Sequence, residues 1–334
     1  MKRLRAEWES HNVILMAFPH DQTDWAQYDD WEAVTAPFVR IAQAVAYYQM
    51  VYMLCQDAEA IKPLFCSTTN IVFLETDYND TWTRDYGALS IEEDGRKKLV
   101  DFTFDGWGGK FESAKDNAIN RWLSGKGFYG GASLETVVTV LEGGAIDTDG
   151  EGTILTTRQC LCHPNRNGDV DTHEVETMLA DTLGVKRVLW LDHGFLSGDD
   201  TDGHVDMLAR FVNQTTITYV TCDNPKDEHF ESLKKMEEEL RSFQIEAGEP
   251  YTLIPLPLPE PKYNENGERL PATYVNFLIS NGAVVYPTYS DPNDKRVGEV
   301  LREVFPDREV IPINCLSLIQ QGGSLHCSTM QVAY

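Results

Sequence analysis

Thr172-His173-Glu174-Val175-Glu176-Thr177-Met178-Leu179-Ala180-Asp181-Thr182-Leu183-Gly184, with Val188-Leu189-Trp190-Leu191 close behind, holds the repeating unit of the chain. Val175, Met178, Leu179 and Leu183 recur at the three-to-four spacing that puts them on one helical face. The four apolar residues after it read as a short buried strand. The same pattern appears in four other places. Helix-like stretches run from Trp31 to Met50, Ser113 to Gly125, Glu228 to Phe243 and Asn293 to Phe305. Apolar or β-branched runs follow at Ile71 to Leu74, Val137 to Leu141, Tyr251 to Ile254 and Val310 to Ile313. After each run comes a polar, Gly-rich or acidic motif, and usually another strand. The interval of roughly 50 to 65 residues lies in the range of blade-type arrays. Five helix–strand–motif–strand modules around an axis predict an α/β fold: a five-bladed propeller with pseudo-fivefold repeats. Its polar motifs would converge at one end of the axis. The competing arrangement is an open α/β sheet. That sheet does not need the hairpin-like strand pairs expected after two of the helices.

The chain has 334 residues, 42% hydrophobic and 24% charged, an ordinary globular balance with ample length for a large core. It reads as a single catalytic domain over residues 1–334. The 53 Asp and Glu against 28 Lys and Arg give a net charge of −25. Such a surface repels nucleic acid and anionic membranes and attracts cations. No apolar run has the length of a membrane span. His11, Asn12 and Pro19-His20-Asp21 interrupt the one candidate signal core, Val13 to Phe18. Seven cysteines without regular spacing suggest free thiols in a reducing cytoplasm. Glu92 to Lys98 reads as a charged hairpin turn. The stretch from Pro255 to Asn276, rich in Pro, Glu, Asn and Gly, reads as a long functional or mobile loop, expected to close the pocket.

Four motifs carry candidate chemistry. In Asn79-Asp80-Thr81-Trp82-Thr83-Arg84-Asp85-Tyr86-Gly87, an extended backbone would put Asp85, Thr83 and Thr81 on one face and Trp82 and Arg84 on the other. A turn with an Asx cap is the alternative. In Leu141-Glu142-Gly143-Gly144, an apolar strand runs into a carboxylate, which is costly to bury without a partner. In Gly198-Asp199-Asp200-Thr201-Asp202-Gly203-His204-Val205-Asp206, strand alternation would put His204 and Asp206 on one face. That pair suits acid–base work, or metal binding if a further ligand joins it. Cys160, Cys162 and His163 could be invoked, though the default for the two cysteines is packing on a strand. In Gly322-Gly323-Ser324-Leu325-His326-Cys327, Cys327 is either a buried small hydrophobe or a nucleophile beyond a tight turn. A thiol, a histidine and several carboxylates suit a cation better than an oxyanion. A planar guanidinium matches carboxylates edge to edge.

Taken together in this order, Asn-Asp-x-Trp-x-Arg-Asp, Leu-Glu-Gly-Gly, Gly-His-x-Asp and Gly-Gly-x-x-His-Cys resemble the agmatine deiminase branch of the guanidine-modifying penteins. The resemblance covers nearly the whole chain, starting at Glu7-Trp8. It implies a five-bladed α/β propeller, matching the five modules. It implies Cys327 as the nucleophile that forms an amidino intermediate and His204 as general acid and base. Asp85 and Asp206 would clamp the guanidinium, and Glu142 would hydrogen-bond the histidine or the substrate. Trp82 and the acids just before His204, chiefly Asp200 but also Asp199 and Asp202, would line the substrate channel. The implied reaction turns agmatine into N-carbamoylputrescine and ammonia, toward putrescine and polyamines, without metal or organic cofactor. The implied partner is a small cationic guanidine; assembly with further copies of the chain is left open. Ala88, Gln321 and Asp202 depart from the family pattern, where Pro, a third Gly and a smaller residue are frequent. The competing functions are a deiminase of peptidyl-arginine or another substituted guanidine, and a non-catalytic pentein that binds a partner.

Overall fold

The computed structural model describes residues 2–334; Met1, the first residue of the expected domain, lies outside them. Thr172–Leu183 is an α-helix whose Val175, Leu179 and Leu183 are buried. Asp171 accepts from the Glu174 backbone N–H, and the Glu174 side chain accepts from that of Asp171. This capping box satisfies two of the donors that a helix start leaves free. Gly184 ends the helix in the left-handed region at φ 73°, where a β-carbon is disfavoured. Strand Arg187–Leu191 then runs parallel to Thr153–Thr157, which pairs antiparallel with Ile146–Thr148. One unit is therefore an antiparallel pair, a helical crossover and a parallel third strand.

Among the described residues the strands form five separate sheets of three or four strands, all containing this unit. Helix Phe230–Ser242 carries the chain from Thr216–Thr221 to its parallel neighbour Thr252–Pro257. Helix Asn293–Val304 does the same between Ala283–Thr288 and Glu309–Asn314. In a four-stranded sheet, the hairpin Leu89–Glu93 and Arg96–Thr103 gains Lys2–Leu4 at one edge and Leu134–Val140 at the other. The expected charged turn closes that hairpin, with Asp94 and Gly95 both at positive φ. In the remaining sheet, Val13–Ala17 lies between Met330–Val332 and Met50–Cys55, so it joins the two ends of the chain. All five residues of Val13–Ala17 are buried, as befits a strand covered on both faces. One buried apolar cluster extends from Leu4 to Val332. No helix among the described residues is long and apolar enough to cross a membrane.

Two expected boundaries shift. The first helix stops at Ala46, not Met50. Met50–Cys55 is a strand, paired with Ile71–Glu75 on its far side. Its continuous apolar run has no helical periodicity, and burial on both faces suits it better to a sheet interior. The helix expected from Ser113 begins with a 3₁₀ turn at Asp116–Ala118 and becomes α-helical at Ile119–Gly125.

Candidate active site

Five segments leave the last strand of one sheet for the next sheet, and each supplies a side chain to one cluster. The segment after Ile71–Glu75 brings Asp85, and the one after Leu134–Val140 brings Glu142. The segment after Arg187–Leu191 brings His204 and Asp206, and the one before Met330–Val332 brings Cys327. The fifth, before Leu278–Ile279, brings Asn276, which motif reading passed over. The signal was present in the repeat: a polar residue inside Val275-Asn276-Phe277-Leu278, at the end of the expected long loop.

The five predicted catalytic residues come together, though not by strand alternation. Thr83–Tyr86 is one helical turn, and Val205–Met207 is a 3₁₀ turn. Alternation therefore fails as the reason that Asp85 faces the cluster or that His204 and Asp206 share it. Turn backbone bonds fix them instead. The Arg84 N–H donates to the Cys327 carbonyl at 3.1 Å, tying the Asp85 turn to the Cys327 segment. Arg84 itself points away from the cluster, with Nη2 3.7 Å from Glu7.

Asn276 Nδ2 donates to Cys327 Sγ at 3.2 Å, and Asp206 Oδ2 lies 3.7 Å from the same sulfur. Asp85 Oδ1 accepts from the Gly144 N–H at 3.0 Å, and Oδ2 from Trp107 Nε1 at 3.0 Å. Glu142 receives Arg166 Nε at 2.8 and 2.9 Å on its two oxygens. His204 Nδ1 is 3.5 Å from Asp85 and Nε2 is 3.8 Å from Glu142. Neither ring nitrogen has a hydrogen-bond partner, and Asp206 Oδ1 has none either. All of these groups are buried, where an unmet polar atom is expensive. The open Asp206 oxygen is an acceptor that a planar cation with several N–H groups would meet. Gly144 leaves the room: a β-carbon there would sit 2.7 Å from His204 Nδ1 and 2.8 Å from Asp85 Oδ1.

Burial and the Asp206 and Asp85 charges push the Cys327 thiol well above its ordinary pKa. Burial opposes charge on His204, but Asp85, Cys160 and Glu142 around it together outweigh burial and hold the imidazole well above its usual value. Burial lifts Asp85 to about 6. Burial would lift Glu142 as well, yet His204 and Arg166 bring it below the usual range.

A pocket of ≈ 40 Å³ reaches Cys327 and Asp85 between Trp82, Trp107 and Phe111. Trp82 and Asp200 line it as predicted, and Asp24 and Asp80 join them. The other two acids before His204 do not line it. Asp202 pairs with Lys110 and Arg166, and Asp199 accepts from the Thr201 and Gly203 backbones. The Pro255–Asn276 segment does not close the pocket either. Its start extends a strand to Pro257, Arg269 anchors it to Asp227 and Glu228, and only Asn276 touches Cys327. Cys160 lies on the short helix Arg158–Leu161, not on a strand. Ligand atoms of Cys160, His204 and Glu142 lie within 4.8 Å of one another. Arg166 already occupies both Glu142 oxygens, which leaves that carboxylate a poor metal ligand. Chelators are therefore expected to leave activity unchanged. Loss of activity on chelation and its return with zinc would reassign His204 to a metal centre.

The family model of Porphyromonas-type peptidyl-arginine deiminases matches residues 3–333. An agmatine deiminase of Stutzerimonas stutzeri is 31% identical, covering 98% of this chain and 94% of that protein. The solved structure of a variant C. jejuni agmatine deiminase with substrate bound is 37% identical at a TM-score of 0.93, covering 100% of this chain and 97% of that one. The DDAH of Pseudomonas aeruginosa, complexed with citrulline, is 11% identical and shares the fold at a TM-score of 0.54, over 97% of this chain and 100% of that one.

Proposed function

We propose, from the premise that this chain belongs to the Porphyromonas-type peptidyl-arginine deiminase family, that it is a cytoplasmic agmatine deiminase built as a five-bladed propeller. The observation that carries the reading is the buried cluster itself: Cys327 and Asp85 meet one small pocket, and His204 and Asp206, which carry unpartnered atoms, lie directly behind them, 3.5 Å from Asp85 and 3.7 Å from the sulfur. The substrate-bound relative named above supports agmatine as the substrate.

The guanidinium lies between Asp85 and Asp206, in edge-to-edge pairing. Its charge reverses the field that holds the Cys327 proton, and the proton leaves to solvent. The thiolate attacks the central carbon, and the C–N bond to the departing nitrogen breaks as His204 protonates it. Ammonia leaves and a thiouronium remains on Cys327. His204, now neutral, takes a proton from water. The resulting hydroxide adds to the carbon, its O–H proton leaves to solvent as the C–S bond breaks, and N-carbamoylputrescine leaves with the thiolate restored. Glu142 holds the imidazole with its own charge balanced by Arg166. Asn276 aims the sulfur. The product belongs to the supply of putrescine.

The test is release of a ureido product from agmatine; absence of turnover on every guanidine offered would overturn the reading. Asp85 also gives the site a pH signature. With Cys327→Ala removing the thiol, agmatine affinity is expected to fall as pH drops through about 6, where Asp85 protonates and loses its charge. Below that point the loss approaches about tenfold per pH unit. Calorimetric titration across that range checks it. The slope is expected to vanish when Asp85→Asn is added, and a persisting slope would place the titrating group elsewhere.

A further inference from the structure

Behind the pocket, on the side away from substrate, lies a line of charged contacts that no step of the reaction uses. Asp206 Oδ2 meets His326 Nδ1 at 2.7 Å. His326 Nε2 meets Glu7 Oε2 at 2.7 Å. Glu7 is held in turn by Arg210 Nη2 at 2.7 Å and by the Ile279 N–H, which donates to Oε1 at 2.6 Å. All four side chains are buried. Glu7 arrives from the N-terminal segment and His326 from the residue before the nucleophile. The backbone N–H of His326 donates to Asn276 Oδ1 at 2.8 Å, so the ring cannot drift independently of Cys327.

We propose that Glu7 and His326 form a positioning relay that fixes the clamp carboxylate Asp206 beside Cys327, leaving Oδ1 free to receive the guanidinium. A carboxylate with two equivalent open oxygens could rotate to face either the thiol or the cation. With Oδ2 tethered through His326, one oxygen remains, and it is the unpartnered Oδ1. The relay also secures the charge. Burial would raise the Asp206 carboxyl, but the bond and charge of His326, with the charges of His204 and Arg210, together outweigh it and hold the group below its usual range. Asp85 has no histidine bonded to it in this way, and burial lifts it to about 6. The clamp thus has one permanently ionised arm and one that ionises near neutrality. Two hydrogen bonds to ionised acceptors require that both ring nitrogens donate. This inference rests on guanidine hydrolysis at the same site.

Two substitutions separate the arms of the relay. His326→Asn keeps an amide donor near the position of Nδ1, toward Asp206, and abandons Glu7. His326→Gln reaches toward Glu7 and abandons Asp206. Hydrogen bonds to charged groups weaken binding by about ten- to a hundredfold when one partner is lost. His326→Gln is therefore expected to raise KM for agmatine at least about tenfold. His326→Asn is expected to raise it less than about threefold, although each variant loses one charged contact and both should melt lower by similar amounts. Equal KM values in the two folded variants, or a worse KM for His326→Asn, would overturn the relay. The wild-type protein gives a reading that does not depend on either variant folding. With ¹⁵N-labelled histidine, both His326 ring nitrogens should carry slowly exchanging protons, and one bare nitrogen would break the chain of contacts. If the wild type turns over no guanidine, the proposed function fails instead, and the ¹⁵N experiment still decides the relay.

Discussion

Replacing Cys327 by alanine is expected to lower turnover of every guanidine by on the order of 10³-fold or more while the fold persists. The side chain is small and its removal leaves only a small void, so the change is chemical rather than structural. In the empty site the thiol is held protonated by burial and by two carboxylates. It is a poor nucleophile until a cation arrives between those same carboxylates, which couples activation to binding. Cys327→Ser keeps the size but not the acidity: a hydroxyl ionises far less readily than a thiol, so that variant should also be nearly inactive. The intermediate provides a second readout. Mass spectrometry of a stalled reaction should place the amidino adduct on Cys327 alone. Cys160 is the sharpest control, because it lies against His204 and Glu142 yet does not line the pocket. An adduct on Cys160, or wild-type turnover from Cys327→Ala, would end the thiouronium mechanism.

The helix of each repeat was legible because amphipathic spacing is local: Val175, Met178, Leu179 and Leu183 fall on one face whatever packs against them. The strand Met50–Cys55 was not, because a fully buried strand has no alternation to announce it and it abuts a helix end. The site shows the same division. Cys327, His204, Asp85, Asp206 and Glu142 stood out because a charged or reactive residue sits beside glycines or at a strand end. The reasoning that placed them by alternation failed, since tight turns, not extended backbone, aim Asp85 and Asp206. Arg166, His326 and Glu7 act through contacts between segments 24 to 319 residues apart, which no local pattern records. Asp199 and Asp202 were expected at the channel because they are acidic and near His204. Each is instead consumed by a partner, Asp202 by Arg166 and Lys110 and Asp199 by the loop backbone. Charge in sequence predicts the sign of a region, while the partner decides whether that charge is available to a ligand.

That distinction sets the expected substrate choice. Agmatine carries a guanidinium at one end and an ammonium at the other. The pocket reaches the buried carboxylate of Asp85 and is also lined by Asp24, Asp80 and Asp200. Lys110 reaches toward the last of these, donating to the Asp200 carbonyl at 2.6 Å, and leaves its carboxylate oxygens free to face the pocket side near Gly322. Burial lifts Asp80 to about 7, so it contributes partial charge at neutral pH. Free arginine places a carboxylate among these acids, and no arginine or lysine lines the pocket to receive it. At about 4 Å a charge pair near the surface is worth from about 1 kcal/mol in water to about 4 kcal/mol in a partly screened protein environment. Each 1.4 kcal/mol is about tenfold. Agmatine is therefore expected to exceed free arginine by at least about a hundredfold in kcat/KM. The gap should narrow with Asp200→Asn and with added salt, which screens exposed charges over about 10 Å at 0.1 M. Peptide-bound arginine should be slow because the pocket of ≈ 40 Å³ that Trp82, Trp107 and Phe111 line leaves little room for flanking residues, not because a loop closes over it. Steady-state kinetics on agmatine, arginine and a blocked arginine peptide compare the three. Similar efficiency on agmatine and arginine would show that the wall acids do not govern choice. Faster turnover of the peptide would make the protein a peptidyl-arginine deiminase, with the same thiol chemistry serving a wider mouth.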